Sequence, residues 1–136
     1  MPKNPWDKDL ESLLASSNGL CDSGMIFGKD GAMWCSTDHE NALKITGDEA
    51  KRIGRELGNQ DFSMKEGGLQ VNGTVYLPIG EEGDVFVGSQ GEEYVHMHAT
   101  NSCVIITHCT SKDAPNHDVI SEAVRSAALS FIQIGL

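Results

Sequence analysis

The sequence predicts an α+β fold, with helices packed on a central antiparallel sheet of five to seven strands. Helical apolar periodicity at both ends of the chain, alternating apolar residues through its middle, and tight-turn signals between these runs all indicate this class. Strands joined by short turns pair antiparallel, and flanking helices must then cover one or both faces. The 136 residues contain no repeat or linker-like stretch, so we expect one domain spanning residues 1–136.

A first helix is predicted to begin near the amino terminus. Asn4 suits the capping position, Pro5 suits the first helical position, and Asp7 and Asp9 suit the positive end of the helix dipole. The Asn18-Gly19 pair offers a stop. The core-facing stripe consists of Leu10, Leu13 and Leu14.

A β-hairpin is predicted next. Two short apolar runs, Gly24 to Gly28 and Ala32 to Ser36, are joined by Lys29-Asp30-Gly31. An Asp-Gly pair between such runs favours a tight turn because glycine accepts a positive φ.

A second helix and a second hairpin follow. Thr46 and Glu49 form a capping box, and Gly58 is placed to end the helix. Asn72-Gly73 then lies between two alternating runs, which predicts another tight hairpin. The apolar positions of this helix are Ala50, Ile53 and Leu57.

Three further strands and a long helix complete the pattern. The strands are predicted at Val85 to Gly88, Glu93 to Thr100 and Cys103 to Cys109. Asp118 to Ile134 has a broad helical apolar stripe, as expected for a helix that lies on a sheet.

The charge and apolar content exclude several classes of protein. Ten Lys and Arg against twenty Asp and Glu give a net charge of −10, which argues against non-specific binding to nucleic acid or anionic lipid. The 39% hydrophobic content suffices for a core. No apolar run approaches the ~20 residues of a membrane span, and no signal peptide is recognisable. We therefore expect a cytosolic protein.

Enzyme signatures are missing from the sequence. It contains no GxxxxGK[ST], GxGxxG, HExxH or GxSxG motif. The carboxylate pairs Glu81-Glu82 and Glu92-Glu93 fall in predicted turns, where solvated charges lack the burial that shifts a catalytic pKa. We expect neither enzymatic activity nor a cofactor.

The histidines offer an alternative, a metal site. His96 and His98 share a face of one strand, and His108 lies on the expected partner strand near Cys103 and Cys109. The two cysteines are six residues apart and share a face, and the unknown register leaves open whether that is also the histidine face. We expect no metal, and we expect the cysteines, which lack CxxC spacing, to be free thiols.

Two tryptophans stand out among only eight aromatic residues. Trp6 lies in the first helix, Trp34 in the first hairpin, and Phe131 near the end of the last helix. If they converge, they form the kind of aromatic groove that binds polyproline II ligands. Alternatively, they anchor the chain termini to the sheet.

The order and spacing of these segments resemble the profilin family over nearly the full length. The similarity rests on Trp6 and on the following segments: GMIFGKDGAMWCS (Gly24 to Ser36), ITGDEAKRIGREL (Ile45 to Leu57), GLQVNGTVYLPI (Gly68 to Ile79), EEGDVFVG, ATNSCVIITHC (Ala99 to Cys109) and FIQIGL (Phe131 to Leu136). The resemblance implies terminal helices together on one sheet face and a shorter helix on the other. It also implies a non-enzymatic monomer that binds monomeric actin and proline-rich stretches of formins and related proteins.

The resemblance assigns the proline site to Trp6, Trp34, Ser130 and Phe131. Asp9 stands where the family has a further aromatic residue, and Ser130 where it has a tyrosine, so we expect weak polyproline binding. Each lost ring removes about 1 kcal/mol or more, a roughly tenfold weakening.

The resemblance also implies an actin-binding face. Its residues here are Val75, Val87, Ser89, Gln90, Asn116, Ser121 and Glu122. The family usually has Lys or Arg at the first four of these positions, and their replacement predicts weaker or partner-specific actin binding that is less sensitive to salt. The same charge deficit argues against phosphoinositide binding.

Other interpretations stay open at this point. One alternative is a binding module of the same fold that has lost actin binding and binds proline-rich or other partners. The sheet-with-helices plan is also found in small α/β sandwiches of the vesicle-trafficking kind.

Overall fold

The computed structural model describes residues 5–16, 21–36, 40–58, 68–82, 85–110 and 117–136. The helices are α1 (Pro5–Ser16), α2 (Gly47–Gly58) and α3 (His117–Gln133). The strands are β1 (Ser23–Gly28), β2 (Leu69–Val71), β3 (Thr74–Glu82), β4 (Val85–Gln90), β5 (Glu93–Ala99) and β6 (Cys103–Thr110). None of the helices within these ranges has the length and apolar content needed to cross a bilayer.

Within the described ranges, the strands form a six-stranded antiparallel sheet in the order β1-β6-β5-β4-β3-β2. Consecutive strands from β2 to β6 are neighbours, as their short turns predict. β1 instead pairs along its length with β6, the strand most distant from it in sequence. The predicted α+β class with a central antiparallel sheet is confirmed.

The terminal helices lie together on one face of the sheet. Leu14 of α1 and Ile120 of α3 pack in one cluster with Cys109 of β6. On the other face, α2 contributes Ala50 and Ile53, both fully buried, to the main core. The expected placement of two terminal helices on one face and a shorter helix on the other is confirmed.

Two local sequence signals form as predicted. The Glu49 amide donates to the Thr46 hydroxyl at 3.2 Å, and the Glu49 carboxylate accepts from the Thr46 amide at 3.0 Å, which completes the capping box. Asn72 and Gly73 join β2 to β3 with φ of 51° and 81°, as a type I′ turn requires.

The Glu49 carboxylate also holds that turn. It accepts hydrogen bonds from the amides of Asn72 at 2.8 Å and Gly73 at 2.9 Å. Burial opposes ionisation of Glu49, but the amides of Thr46, Gly73 and Asn72 and the Thr46 hydroxyl outweigh it and lower the pKa of Glu49. One side chain therefore caps α2 and fixes the β2–β3 hairpin against it.

The prediction of a second strand in the first hairpin, at Ala32 to Ser36, is wrong. The turn forms, but the arm meets β1 in a single bridge between Phe27 and Met33. The amide and hydroxyl of Ser36 instead donate to the carboxylate of Asp7, so the arm turns toward α1. The expected helix signals at Asn4 and Asn18-Gly19 lie outside the described residues.

Candidate functional site

Three aromatic rings from distant parts of the chain meet beside the terminal helices. The ring centroids of Trp6 and Trp34 lie 4.9 Å apart with planes tilted by 36°. Phe131 meets Trp6 edge to face at 5.5 Å. Both tryptophans are partly exposed, whereas Phe131 is only 4% exposed. The predicted convergence of these rings is confirmed, with the two indoles as its accessible part.

Hydrogen bonds from the first helical turn hold the segment that carries Trp34. Asp7 accepts from the Ser36 amide at 2.8 Å and from the Ser36 hydroxyl at 2.7 Å, while the Cys35 thiol donates to the Trp6 carbonyl at 3.4 Å. Sequence reasoning assigned Asp7 only to the helix dipole and missed this contact. Nothing local marks it, since the partners are 29 residues apart.

The sheet beneath Trp34 leaves space for its indole. The Trp34 amide donates to the Ile26 carbonyl at 2.9 Å, which brings the side chain over the end of β1. A Cβ added at Gly28 would lie 3.0 Å from the indole nitrogen, so only glycine allows this approach without displacement.

The carboxyl-terminal residues secure the end of α3. The Leu136 amide donates to the Phe131 carbonyl at 2.9 Å. The Leu136 carbonyl accepts from the Ser102 amide at 2.8 Å and from the Thr100 hydroxyl at 2.9 Å. Phe131 is thus held against the β5–β6 turn. The sequence analysis did not identify this anchoring role of Leu136.

A groove of about 190 Å³ runs between α1 and α3 and ends at Phe131. Within the described part of the chain, its wall has apolar and hydroxyl side chains and one carboxylate: Asp9, Ser12, Leu13, Ser16, Ala123, Ser126, Ala127, Ser130 and Phe131. Burial raises the pKa of Asp9. Ser130 is exposed and donates to the Ser126 carbonyl at 3.1 Å, so it provides a polar groove wall and no ring.

The second predicted surface is only partly exposed. Val75 and its neighbour Leu77 are 40% and 49% exposed, and Ser89 pairs with Leu77 across the sheet. Gln90 is also exposed, but it follows Ser89 in β4 and pairs with Glu93, so it is on the opposite sheet face. Sequence reasoning did not single out Leu77. The alternation from Val75 to Leu77 along β3 is the signal that could have identified it.

Two predicted members of this surface are buried. Val87 is 2% exposed and Ser121 is 1% exposed, so neither side chain can touch a partner while the face keeps this packing. Glu122 is exposed and forms an ion pair with Arg125 at 2.8 Å. Asn116 lies outside the described residues.

The strand register separates the histidines of the alternative metal site. His96 pairs with Thr107, whereas His108 pairs with Val95, so His108 is on the opposite sheet face from His96 and His98. His108 instead lies between Asp22 at 2.7 Å and Glu93 at 3.2 Å. Within the described ranges, no group of three or more His, Cys, Asp or Glu side chains is arranged to hold a metal ion.

The cysteines are free and buried. Burial raises the pKa of both Cys35 and Cys109 to about 12, and it also raises the pKa of Cys103. Thiols in this state behave as small apolar groups, as the sequence analysis expected.

The amino-acid sequence is similar to those of known profilins. The Profilin family model matches residues 4–136. A profilin of Clypeaster japonicus is 32% identical over 113 residues, covering 76% of this chain and 81% of the relative. A profilin of Heliocidaris crassispina is 30% identical over 112 residues, with 76% and 80% coverage.

Solved structures share the fold. A Schizosaccharomyces pombe profilin superposes with a TM-score of 0.76 at 20% identity, covering 96% of this chain and 99% of the other. Mouse profilin IIa in complex with a double repeat from the FH1 domain of mDia1 superposes with 0.72 at 16% identity, covering 97% and 99%. LokiProfilin2 in complex with rabbit actin superposes with 0.69 at 19% identity, covering 97% and 98%.

Proposed function

The chain belongs to the profilin family, and on that premise we propose that it binds monomeric actin on one surface and proline-rich segments on another. Members of the family bind actin monomers and polyproline and are not enzymes. The two complexes just described, one with an FH1 repeat and one with actin, support both halves of the proposal. Its main support within this chain is the meeting of Trp6, Trp34 and Phe131 beside the terminal-helix groove.

The proline-rich ligand contacts the exposed faces of Trp6 and Trp34. A polyproline II segment has lost most of its conformational entropy before binding, so flat aromatic contacts suffice to hold it. Phe131 is 4% exposed and packs against Trp6 in an edge-to-face pair, so it supports that indole rather than contacting the ligand. With two accessible indoles and no ring at Asp9 or Ser130, the affinity is weak.

A peptide titration tests this half of the proposal. A proline-rich peptide should change the tryptophan fluorescence in a saturable way, and Trp34→Ala should weaken binding about tenfold or more. Tyr76→Phe is the matched control, because Tyr76 is an aromatic residue on the α2 side of the sheet, away from the groove. No response at millimolar peptide would contradict proline binding.

The actin-binding surface consists of exposed β3 and β4 residues together with the outer side of α3. Val75, Leu77 and Ser89 supply apolar and hydrogen-bonding groups, and Gln90 borders this surface at the end of β4. The family usually has Lys or Arg on this surface. Because opposite charges mainly speed the encounter of two proteins, their absence lowers the association rate with actin and makes that rate less dependent on salt.

An actin assembly assay tests the second half. With actin from the same organism, the protein should slow pyrene-actin polymerisation, and Leu77→Asp should abolish the effect. Ile134→Asp is the control, since Ile134 is also an exposed apolar residue but lies in the turn after α3. Proline binding without any effect on actin would favour a module that has lost actin binding.

We also propose that the chain acts as one domain, as a monomer, in the cytoplasm and at the actin cytoskeleton, without a cofactor. The family match over residues 4–136 supports a single domain. The net charge of −10 argues against nucleic acid and phosphoinositide as ligands. Sedimentation velocity would contradict the monomer if it gave a dimer at micromolar concentration.

A further inference from the structure

Among the described residues that line the groove between the terminal helices, one is acidic, and it lies close to the aromatic cluster. Asp9 lies one helical turn after Trp6 on α1 and lines the same groove as Phe131. The other lining residues are apolar or carry hydroxyl groups. A ligand that lies on the indoles and continues along the groove therefore passes a carboxylate.

The Asp9 carboxylate has no partner of its own among the described residues. No hydrogen bond or ion pair reaches it there, whereas the neighbouring Asp7 is bonded to Ser36. Asp9 is also half-buried, and burial raises its pKa because the charged form loses hydration. A partly desolvated anion of this kind gains when a cation approaches it.

We propose that this groove selects proline-rich segments that carry a Lys or Arg a few residues from the prolines stacked on Trp6 and Trp34. One helical turn advances about 5.4 Å along α1, and a polyproline II chain advances about 3.1 Å per residue. A basic residue about two to four positions from the stacked proline therefore reaches Asp9. The inference rests on the proposed function and specifies its ligand.

The expected gain in affinity is small, because the ion pair between Asp9 and a basic peptide residue would be partly exposed to solvent. Ion pairs at partly exposed sites change affinity by up to about fivefold, so we expect roughly threefold tighter binding of a basic-flanked peptide. The net charge of −10 attracts any cationic peptide as well. The test must therefore distinguish the effect of the Asp9 charge on peptide binding from the effect of the overall charge of the protein.

Three peptides and two variants distinguish these two effects on binding. Each peptide has the same proline run, followed three residues later by Lys, Gln or Glu, and binding is measured by tryptophan fluorescence at low and physiological salt. Asp9→Asn removes the groove charge with little change in size. The control Asp48→Asn removes one exposed charge from the first turn of α2, on the other side of the sheet. Far-UV circular dichroism checks that both variants are folded.

The expected result is a roughly threefold preference for Lys over Gln, with Glu weakest. At physiological salt, where the contribution of the overall charge is screened, Asp9→Asn should remove most of this preference, and Asp48→Asn should keep it. Equal binding of the three peptides to the unmodified protein, or an unchanged preference in Asp9→Asn, would overturn the inference and leave the proline site intact. Failure of every peptide to bind would overturn the proline site, and the inference with it.

Discussion

Glu49 links α2 to the β2–β3 hairpin, and its removal should destabilise the protein measurably. Its two carboxylate oxygens accept from the amides of Thr46, Asn72 and Gly73 at 2.8–3.0 Å. In Glu49→Gln, one oxygen remains as an acceptor and the new NH₂ group faces a backbone N–H. The variant therefore loses one hydrogen bond, and the remaining ones lose their charge.

The loss in the free energy of unfolding can be estimated from the three hydrogen bonds that Glu49 accepts. A hydrogen bond to a charged group contributes about 1.5–3 kcal/mol when buried, and a neutral one about 1 kcal/mol. Because Glu49 is only half-buried, we expect a loss of about 1.5 kcal/mol in the free energy of unfolding, or roughly 6 °C in Tm. The adjacent Asp48→Asn is the control. Asp48 is exposed in the same helical turn, and we expect about 0.5 kcal/mol from the helix dipole alone.

The effect should depend on pH in a definite direction. The pKa of Glu49 is lowered on folding, so its stabilisation is complete above the unfolded value of about 4.3 and is lost as the pH falls through the folded value. Urea denaturation should show a difference in the free energy of unfolding between the unmodified protein and Glu49→Gln at pH 7. This difference should become smaller between about pH 5 and pH 3. Equal stability at pH 7, or a gap that stays constant down to pH 3, would refute the reasoning.

Three further predictions follow from particular contacts. Asp7→Ala should cost about 1–2 kcal/mol in thermal unfolding and weaken peptide binding, because the Ser36 amide and hydroxyl lose their acceptor; normal peptide affinity would contradict this. Gly24→Ala should lower the free energy of unfolding by about 1–3 kcal/mol, because the new Cβ would lie 2.9 Å from a β6 carbonyl oxygen; an unchanged Tm would contradict it. Cys35 and Cys109 should resist iodoacetamide at pH 8 until denaturant is added, and rapid alkylation of the folded protein would show that the thiols are accessible.

Features that depend on neighbouring residues were predictable from the sequence. The Asn72-Gly73 turn requires only two residues that accept positive φ, and the Thr46–Glu49 capping box requires only a spacing of three. Both form as expected. The additional bonds from Glu49 to the turn were not predictable, because they join positions 23 and 24 residues apart.

Features that depend on distant contacts were predicted less well. Ala32 to Ser36 has the composition of a strand, but Asp7 of α1 takes its last hydrogen-bonding groups. The face of His108 depends on the register of β5 and β6, and a shift of one residue would reverse it. Local sequence patterns show neither the contact with Asp7 nor the register of the two strands.

In the candidate site, too, some features were predictable from the sequence and others were not. The residue pattern alone left the convergence of Trp6, Trp34 and Phe131 as one of two alternatives, and the family resemblance favoured it; the structure brings the three rings together. How deeply each side chain is buried did not follow, and Val87 and Ser121 are covered although they were assigned to a binding face. Val87 lies on a strand and Ser121 on α3, and the burial of each depends on where α3 lies on the sheet, which neither local sequence specifies.

The central claim is that a proline-rich ligand rests on the two indoles beside the terminal helices. The most direct measurement follows the indole N–H signals of Trp6 and Trp34 by ¹H–¹⁵N correlation NMR during titration with a proline-rich peptide. We predict that both signals shift together and saturate at one dissociation constant, with shifts also at Asp9 and Ser130. Indole signals that stay in place up to millimolar peptide, or shifts confined to the α2 face, would contradict the claim.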